Sequence, residues 1–167
     1  MSSRLILHDL YPDTAEQLIS QEASGTTVIA ALPGALACRG CFGCWVRTPG
    51  VCVLRDDFRG FPALITAHDE FAVVSRLVWG GFSPAVKRVL DRSLAHLLPF
   101  FVMRDGEMRH VNRNPRPFRF TAVLYGAGSD QESLRLAEKT LAANAANIGA
   151  ASWEARFLAG APEAPLL

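Results

Sequence analysis

Residues 70–92 read Glu70-Phe-Ala-Val-Val-Ser-Arg-Leu-Val-Trp-Gly-Gly-Phe-Ser-Pro-Ala-Val-Lys-Arg-Val-Leu-Asp-Arg92. Glu70 to Leu77 is rich in apolar, β-branched and aromatic residues, the composition of a strand buried on both faces. After a glycine turn, Ser83-Pro84 supplies the cap and first-turn proline of a helix. Val86, Val89, Leu90, Leu94 and Leu97 then make one apolar stripe. Strand, turn and amphipathic helix in this order form the basic unit of a parallel sheet.

The same rhythm extends in both directions. Arg4 to Asp9 (RLILHD), Thr26 to Leu32 (TTVIAAL), Phe118 to Tyr125 (FRFTAVLY) and Ser152 to Leu158 (SWEARFL) read as the other strands. Asp13 to Gln21, with Ala15, Leu18 and Ile19 at helical spacing, predicts a helix capped by Asp13. Ser129-Asp-Gln-Glu132 is a capping box ahead of Leu134, Ala137, Leu141, Ala145 and Ile148. A weaker helix, broken or started by Pro62, is expected within Phe58 to His68, with Asp56-Asp57 capping it. The pattern predicts an α/β three-layer sandwich on a five-stranded parallel sheet of order 2-1-3-4-5. Near 99–117 the alternation breaks, and Phe100 to His110 predicts an inserted hairpin turning at Asp105-Gly106, of the kind that forms a lid or a dimer contact.

The 167 residues imply one domain over 1–167, with 160–167 as a loose tail. Half the residues are hydrophobic and the net charge is +1, which gives no basic stripe for a phosphate backbone, so nucleic acid is not an expected partner. Arg104, Arg109, Arg113, Arg116 and Arg119 read as a solvated loop rather than an anion site. No segment approaches a membrane span of roughly 18 apolar residues, and no signal peptide follows Met1. The expectation is a cytoplasmic protein with no membrane partner.

All four cysteines fall within Cys38-x2-Cys41-x2-Cys44-x7-Cys52. A chain long enough to bury its own core does not need disulfides there. Zinc accepts four thiolates, though usually as two separated pairs, and free buried thiols are a third option. A compact triplet followed by one more cysteine matches the way a [4Fe–4S] cluster is held.

In an open parallel sheet, ligands bind beyond the carboxyl ends of the strands. That edge collects residues 8–14, the cysteine loop, the Val78 to Ser83 turn and Gly126 to Ser129. Trp79 or Phe82 could stack on a flat ring, which glycines allow the backbone to approach; equally, these are ordinary turns. In the first turn His8 and Thr14 are the candidate contacts. Asp9 and Asp13 repel a phosphate there, and Pro12 lacks a donor. Arg76, Arg92 and His110 read first as surface or core-capping groups and second as substrate or phosphate contacts.

Cys38-Arg-Gly-Cys-Phe-Gly-Cys-Trp-Val-Arg-Thr-Pro-Gly-Val-Cys52 with Asp56-Asp57, and Trp79-Gly-Gly-Phe-Ser-Pro-Ala-Val-Lys-Arg-Val-Leu-Asp-Arg92, resemble segments of flavodoxin-fold NAD(P)H-dependent FMN reductases and iron–sulfur flavoproteins. The similarity spans roughly 26–158. It implies a flavodoxin-like, dimeric or tetrameric redox flavoprotein using FMN, a [4Fe–4S] cluster and NAD(P)H, with a possible redox partner protein. Cys38, Cys41, Cys44 and Cys52 become cluster ligands. Trp79, Gly80, Gly81, Phe82, Ser83, Gly126 and Gly128 become flavin neighbours. Residues 8–14 depart from the family's glycine- and serine-rich phosphate loop, so an FMN phosphate would be held differently. Two other readings are a flavodoxin-fold protein without FMN, acting as a metal-binding electron carrier or interaction subunit, and a Cys-x-x-Cys thiol reductase.

Overall fold

The computed structural model describes residues 3–19, 25–32, 34–128, 130–160 and 162. In chain order the elements are β1 (Arg4–His8), α1 (Pro12–Ile19), β2 (Thr26–Ala30), α2 (Gly43–Val46), α3 (Phe61–Ile65), β3 (Glu70–Arg76) and α4 (Pro84–Arg92). A 3-10 turn (Ser93–His96), β4 (Leu97–Arg104), β5 (Glu107–Asn112), β6 (Arg119–Tyr125), α5 (Gln131–Ile148) and β7 (Ser152–Leu158) follow. The large sheet is parallel, ordered β2-β1-β3-β6-β7, and β4 and β5 form a separate antiparallel hairpin. Counting only large-sheet strands, this is the expected 2-1-3-4-5 order of a flavodoxin-like fold.

The strands start together: Arg4 is opposite both Thr26 and Glu70, Glu70 is opposite Arg119, and Arg119 is opposite Ser152. Strands β1 and β2 run five residues and β3, β6 and β7 seven, so their carboxyl ends point the same way and finish within two residues of one another, which places the loops after them on a common edge. Alternation of side chains divides the sheet into two faces. Leu5, Leu7, Phe71, Val73, Phe120, Ala122 and Leu124 pack with Phe61 and Ile65 of α3, Val86 and Val89 of α4, and Leu141 and Ala145 of α5. On the other face, Ile6, Ala72, Val74 and Val123 pack beside Ala15 of α1. The edge strands β2 and β7 are only partly buried, while β3 and β6 are buried along most of their length.

Local signals explain the helix ends. The Ser83 hydroxyl accepts from the Val86 amide at 3.4 Å, with Pro84 in the first turn, as the sequence predicts. At α5 the Asp130 carboxylate accepts from the amides of Glu132 and Ser133, so Asp130 carries the cap; Ser129 lies outside the described residues. Two short Phe58–His68 expectations need correction. Only Phe61–Ile65 is helical, and Asp56 caps the turn before it by accepting from Phe58, not the helix itself. Strand β2 stops at Ala30 rather than Leu32, the Ala31 amide making the last ladder bond, to the carbonyl of His8 at the end of β1. Of the expected Asp13 to Gln21 helix, residues 20 and 21 lie outside the described residues.

The hairpin turns at Asp105 and Gly106, with φ of 49° and 80°, the left-handed pair of a type I′ turn. The arginine-rich stretch is paired as a surface would be: Arg109 with Glu107, Arg116 with Asp69, and Arg119 with Glu154. Helix α5 ends at Gly149, φ 73°, where the Asn112 side-chain amide donates to the Gly149 carbonyl at 3.2 Å. A methyl group on Gly149 would run into the Asn112 side-chain amide. Gly149→Ala is therefore expected to cost about 1–3 kcal/mol through strained backbone and displaced Asn112. Urea unfolding checks this; a loss within the error of the wild-type value would contradict the contact.

Candidate functional site

Three strand ends meet at Asp9. Its buried carboxylate accepts from the Arg76 amide at 3.2 Å, from the Ser75 hydroxyl at 3.3 Å and from the Tyr125 hydroxyl at 3.0 Å. The Ser75 oxygen in turn accepts from the Ser83 amide at 2.9 Å. One carboxylate thus ties β1, β3 and β6 together, and through Ser75 it fixes the start of α4. Burial, followed by the Asp9 charge, pushes the Tyr125 phenol well above its ordinary range, so it stays a donor.

Beside this network, on the carboxyl edge, lies a cavity of about 480 Å³. Tyr11, Thr14, Arg76, Ser83, Arg88 and Tyr125 are among its walls. Its size suits a drug-sized or cofactor-sized ligand. Two guanidinium groups, Arg76 from the end of β3 and Arg88 one turn into α4, favour an anionic one.

The sequence-derived candidates divide between this cavity and other places. Thr14 and Ser83 line it. His8 is buried at the end of β1 without lining it, and among the described residues its Nδ1 has no hydrogen-bond partner. Phe82 turns into the main core. Trp79 is fully solvent-exposed at φ 48°, and with Gly80 at φ 75° it forms the tight turn closed by the Val78–Gly81 bridge. Gly80 sits against Leu136 of α5, and Gly126 against the Arg76 side chain. Gly80, Gly81, Gly126 and Gly128 do not line the cavity.

Burial pushes the His8 imidazole below its ordinary value, and the neighbouring Asp9 charge only partly counters this. As pH falls through about 6.5, the unfolded chain takes up that proton first. Stability present above this pH is therefore lost below it. Urea midpoints at about pH 7 and pH 5 are expected to fall for the wild type and to fall less for His8→Leu. Equal slopes for both proteins would exclude His8 as the cause.

The cysteines gather at a second place. Cys38, Cys41, Cys44 and Cys52 all line one narrow cavity, walled also by Arg92 and Leu94. All are free thiols, grading from exposed Cys38 and Cys41 through half-buried Cys44 to buried Cys52. Left-handed backbone at Gly40 and Phe42, φ 62° and 52°, turns the loop into α2, a short helix that the sequence did not suggest. The Gly50 amide closes on the Cys44 carbonyl at 3.0 Å. Cys52 is held from both sides, its amide donating to the Arg59 carbonyl and its carbonyl accepting from Arg59 Nε at 3.1 Å. Burial and the neighbouring Cys52, Cys38 and Cys41 sulfurs push the Cys44 thiol up. Among the described residues, no group of three or more His, Cys, Asp or Glu side chains is placed to hold a metal ion.

The inserted hairpin buttresses this loop. Phe42 stacks on Trp45 with ring centres 5.3 Å apart, Trp45 lies 5.1 Å from His110, and His110 lies 4.5 Å from Phe101. Trp45 Nε1 donates to the Leu97 carbonyl at 3.0 Å. His110, considered from sequence as a substrate contact, instead joins the hairpin to the cysteine loop and is also bonded to the Leu98 carbonyl. Sequence reasoning missed the Asp9 network and Arg88. The available signal for Arg88 was its place one turn after the Ser83 cap, which puts it on the carboxyl edge.

No family model matches the chain, and no curated protein matches it in sequence. Solved structures do match. The NAD(P)H:quinone oxidoreductase from Methanothermobacter marburgensis aligns at TM-score 0.61 and 14% identity, covering 97% of this chain and 89% of its own. General stress protein 14 from Treponema denticola, in complex with FMN, aligns at 0.56 and 14%, covering 95% and 86%. An FMN-dependent NADH-azoreductase from Bacillus anthracis, also with FMN, aligns at 0.54 and 11%, covering 94% and 86%. At these identities the likeness establishes a flavodoxin-like fold shared over nearly the whole chain.

Proposed function

We propose that this chain is a redox protein, an FMN-dependent oxidoreductase or electron-transfer protein that also carries an iron–sulfur cluster on its four cysteines. The observation that carries the reading is that every cysteine of the chain lines one cavity. The donor set fits a cluster in kind. Four free thiols line one recess, and thiolates are the donors such a cluster takes.

FMN fits the cavity at the carboxyl edge with its phosphate held in an unusual way. The Asp9 carboxylate already accepts the Arg76 amide, and Asp13 sits in the first turn of α1. An anion is therefore disfavoured at the position the first turn would offer. Arg76 and Arg88 instead supply paired positive charge for a phosphate. Tyr11 and Tyr125 supply ring surface, and the Ser83 and Thr14 hydroxyls supply polar contacts. When bound, a flavin supplies two-electron chemistry and a cluster one-electron chemistry. The chain's own part is to fix both groups. The Asp9–Ser75–Tyr125 network holds the cavity wall rigid, and α2 with the hairpin holds the cysteine loop. NAD(P)H is the electron donor this reading implies.

A second reading, a cluster-carrying electron-transfer subunit without FMN, is favoured by the occupied Asp9 position. Flavin titration separates the two. The wild type is expected to bind FMN and quench its fluorescence, and Arg76→Ala combined with Arg88→Ala is expected to weaken binding about tenfold or more. No FMN binding by the wild type selects the second reading; unchanged binding by the double variant removes the two arginines from the site.

A further inference from the structure

Arg92 stands in the last turn of α4, where a cation is ordinary, but its burial is not. It is wholly buried. Its Nη1 is committed to the Asp56 carboxylate and, at 3.4 Å, to the Leu36 carbonyl. Among the described residues its Nε and Nη2 meet no hydrogen-bond partner at full geometry, and beyond Asp56 the guanidinium interacts with the Cys52 thiol. Buried donors left unpaired are costly, and native proteins rarely keep two on one group without a reason. The guanidinium lines the same cavity as the four cysteines and lies beside Cys52.

We infer that Arg92 is a positioning and charge-balancing residue of the cysteine site, its Nε–H and Nη2–H donors serving the sulfurs of a bound anionic cluster. The inference rests on the cluster reading above. A cluster held by four thiolates carries net negative charge, and hydrogen bonds to its sulfurs together with nearby charge set its reduction potential. Asp56 neutralises only part of the guanidinium, since it is committed through one nitrogen and is itself partly exposed. Arg39, the other cation on the cavity wall, is exposed, so the two remaining donors of Arg92 are the buried ones available to the four sulfurs. The Asp56 pair and the Leu36 carbonyl fix the plane of the fork before any cluster arrives, so the donors need no reorganisation.

The test uses the full chain, reconstituted without oxygen from ferrous iron and sulfide under a thiol reductant. Wild type, Arg92→Lys, and the double variant Asp56→Asn with Arg92→Gln are compared. The double variant removes both charges together, so no lone carboxylate is left behind. Circular dichroism establishes that each is folded. Iron and sulfide content, midpoint potential and the rate of bleaching in air are then measured. The expected result is a more negative potential and bleaching about tenfold faster in the double variant, with Arg92→Lys in between because it keeps charge but lacks the fork. Loaded variants with the wild-type potential would overturn the inference, even with faster bleaching, because Arg92 would then be only structural. Should the wild type itself take up no cluster, binding zinc or nothing, the cluster reading fails and this inference with it.

Discussion

Cys52→Ser is expected to abolish the visible absorbance and the bound iron of the anaerobically reconstituted protein. Cys52 is the most buried of the four thiols, and Arg59 pins its backbone on both sides. A serine hydroxyl placed there stays protonated near neutral pH and is a poor ligand for a soft centre. The substitution is small, and its backbone partners are unaffected, so the fold is expected to persist. The same variant separates a cluster from thiol chemistry. A disulfide reductase working through Cys38 and Cys41, or Cys41 and Cys44, would keep its activity without Cys52. Retained iron and colour in folded Cys52→Ser would exclude Cys52 as a ligand.

Phe71→Ala is expected to produce the largest loss of stability. Phe71 is wholly buried at the centre of the sheet, with Phe61 of α3 5.9 Å away and Phe120 of β6 5.7 Å away, ring centre to ring centre. Removing it leaves a cavity where three elements meet, at a cost of about 3–5 kcal/mol. Against a typical total of about 5–15 kcal/mol, that is a large fraction. Urea unfolding followed by circular dichroism measures it as a lowered midpoint at an unchanged slope. A loss below about 1 kcal/mol would mean that the ring is not packed as described.

The fold was legible because β3 and β6 are buried on both faces and so read as unbroken apolar runs, which periodicity identifies without tertiary knowledge. Edges were less legible. Strand β2 gives up its last residues to a turn, since only the meeting with His8 decides where the pairing ends. Helix α2 escaped notice because two left-handed residues, Gly40 and Phe42, set it up rather than a cap or an apolar stripe.

At the site, four cysteines close together in sequence line one cavity in the structure. The turn at Trp79 was misleading in part. A glycine-rich turn at a strand end can present its aromatics either way, and here Trp79 faces solvent while Phe82 enters the core. Asp9 looked only like a charge hostile to phosphate. Its role as the tie between three strand ends needs Ser75 and Tyr125, which are 66 and 116 residues away along the chain. Arg92 likewise reads as an ordinary helix-terminal cation until Asp56, 36 residues earlier, is brought against it.

Metal content decides whether the four cysteines hold an iron–sulfur cluster in this flavodoxin-like frame. The most direct measurement is anaerobic purification of the full chain with quantification of iron, acid-labile sulfide, zinc and flavin alongside the visible spectrum. The expected result is iron and sulfide in the ratio of a [4Fe–4S] cluster, with an absorbance that bleaches on adding dithionite. Colourless protein holding one equivalent of zinc, or no metal at all after reconstitution, would contradict it.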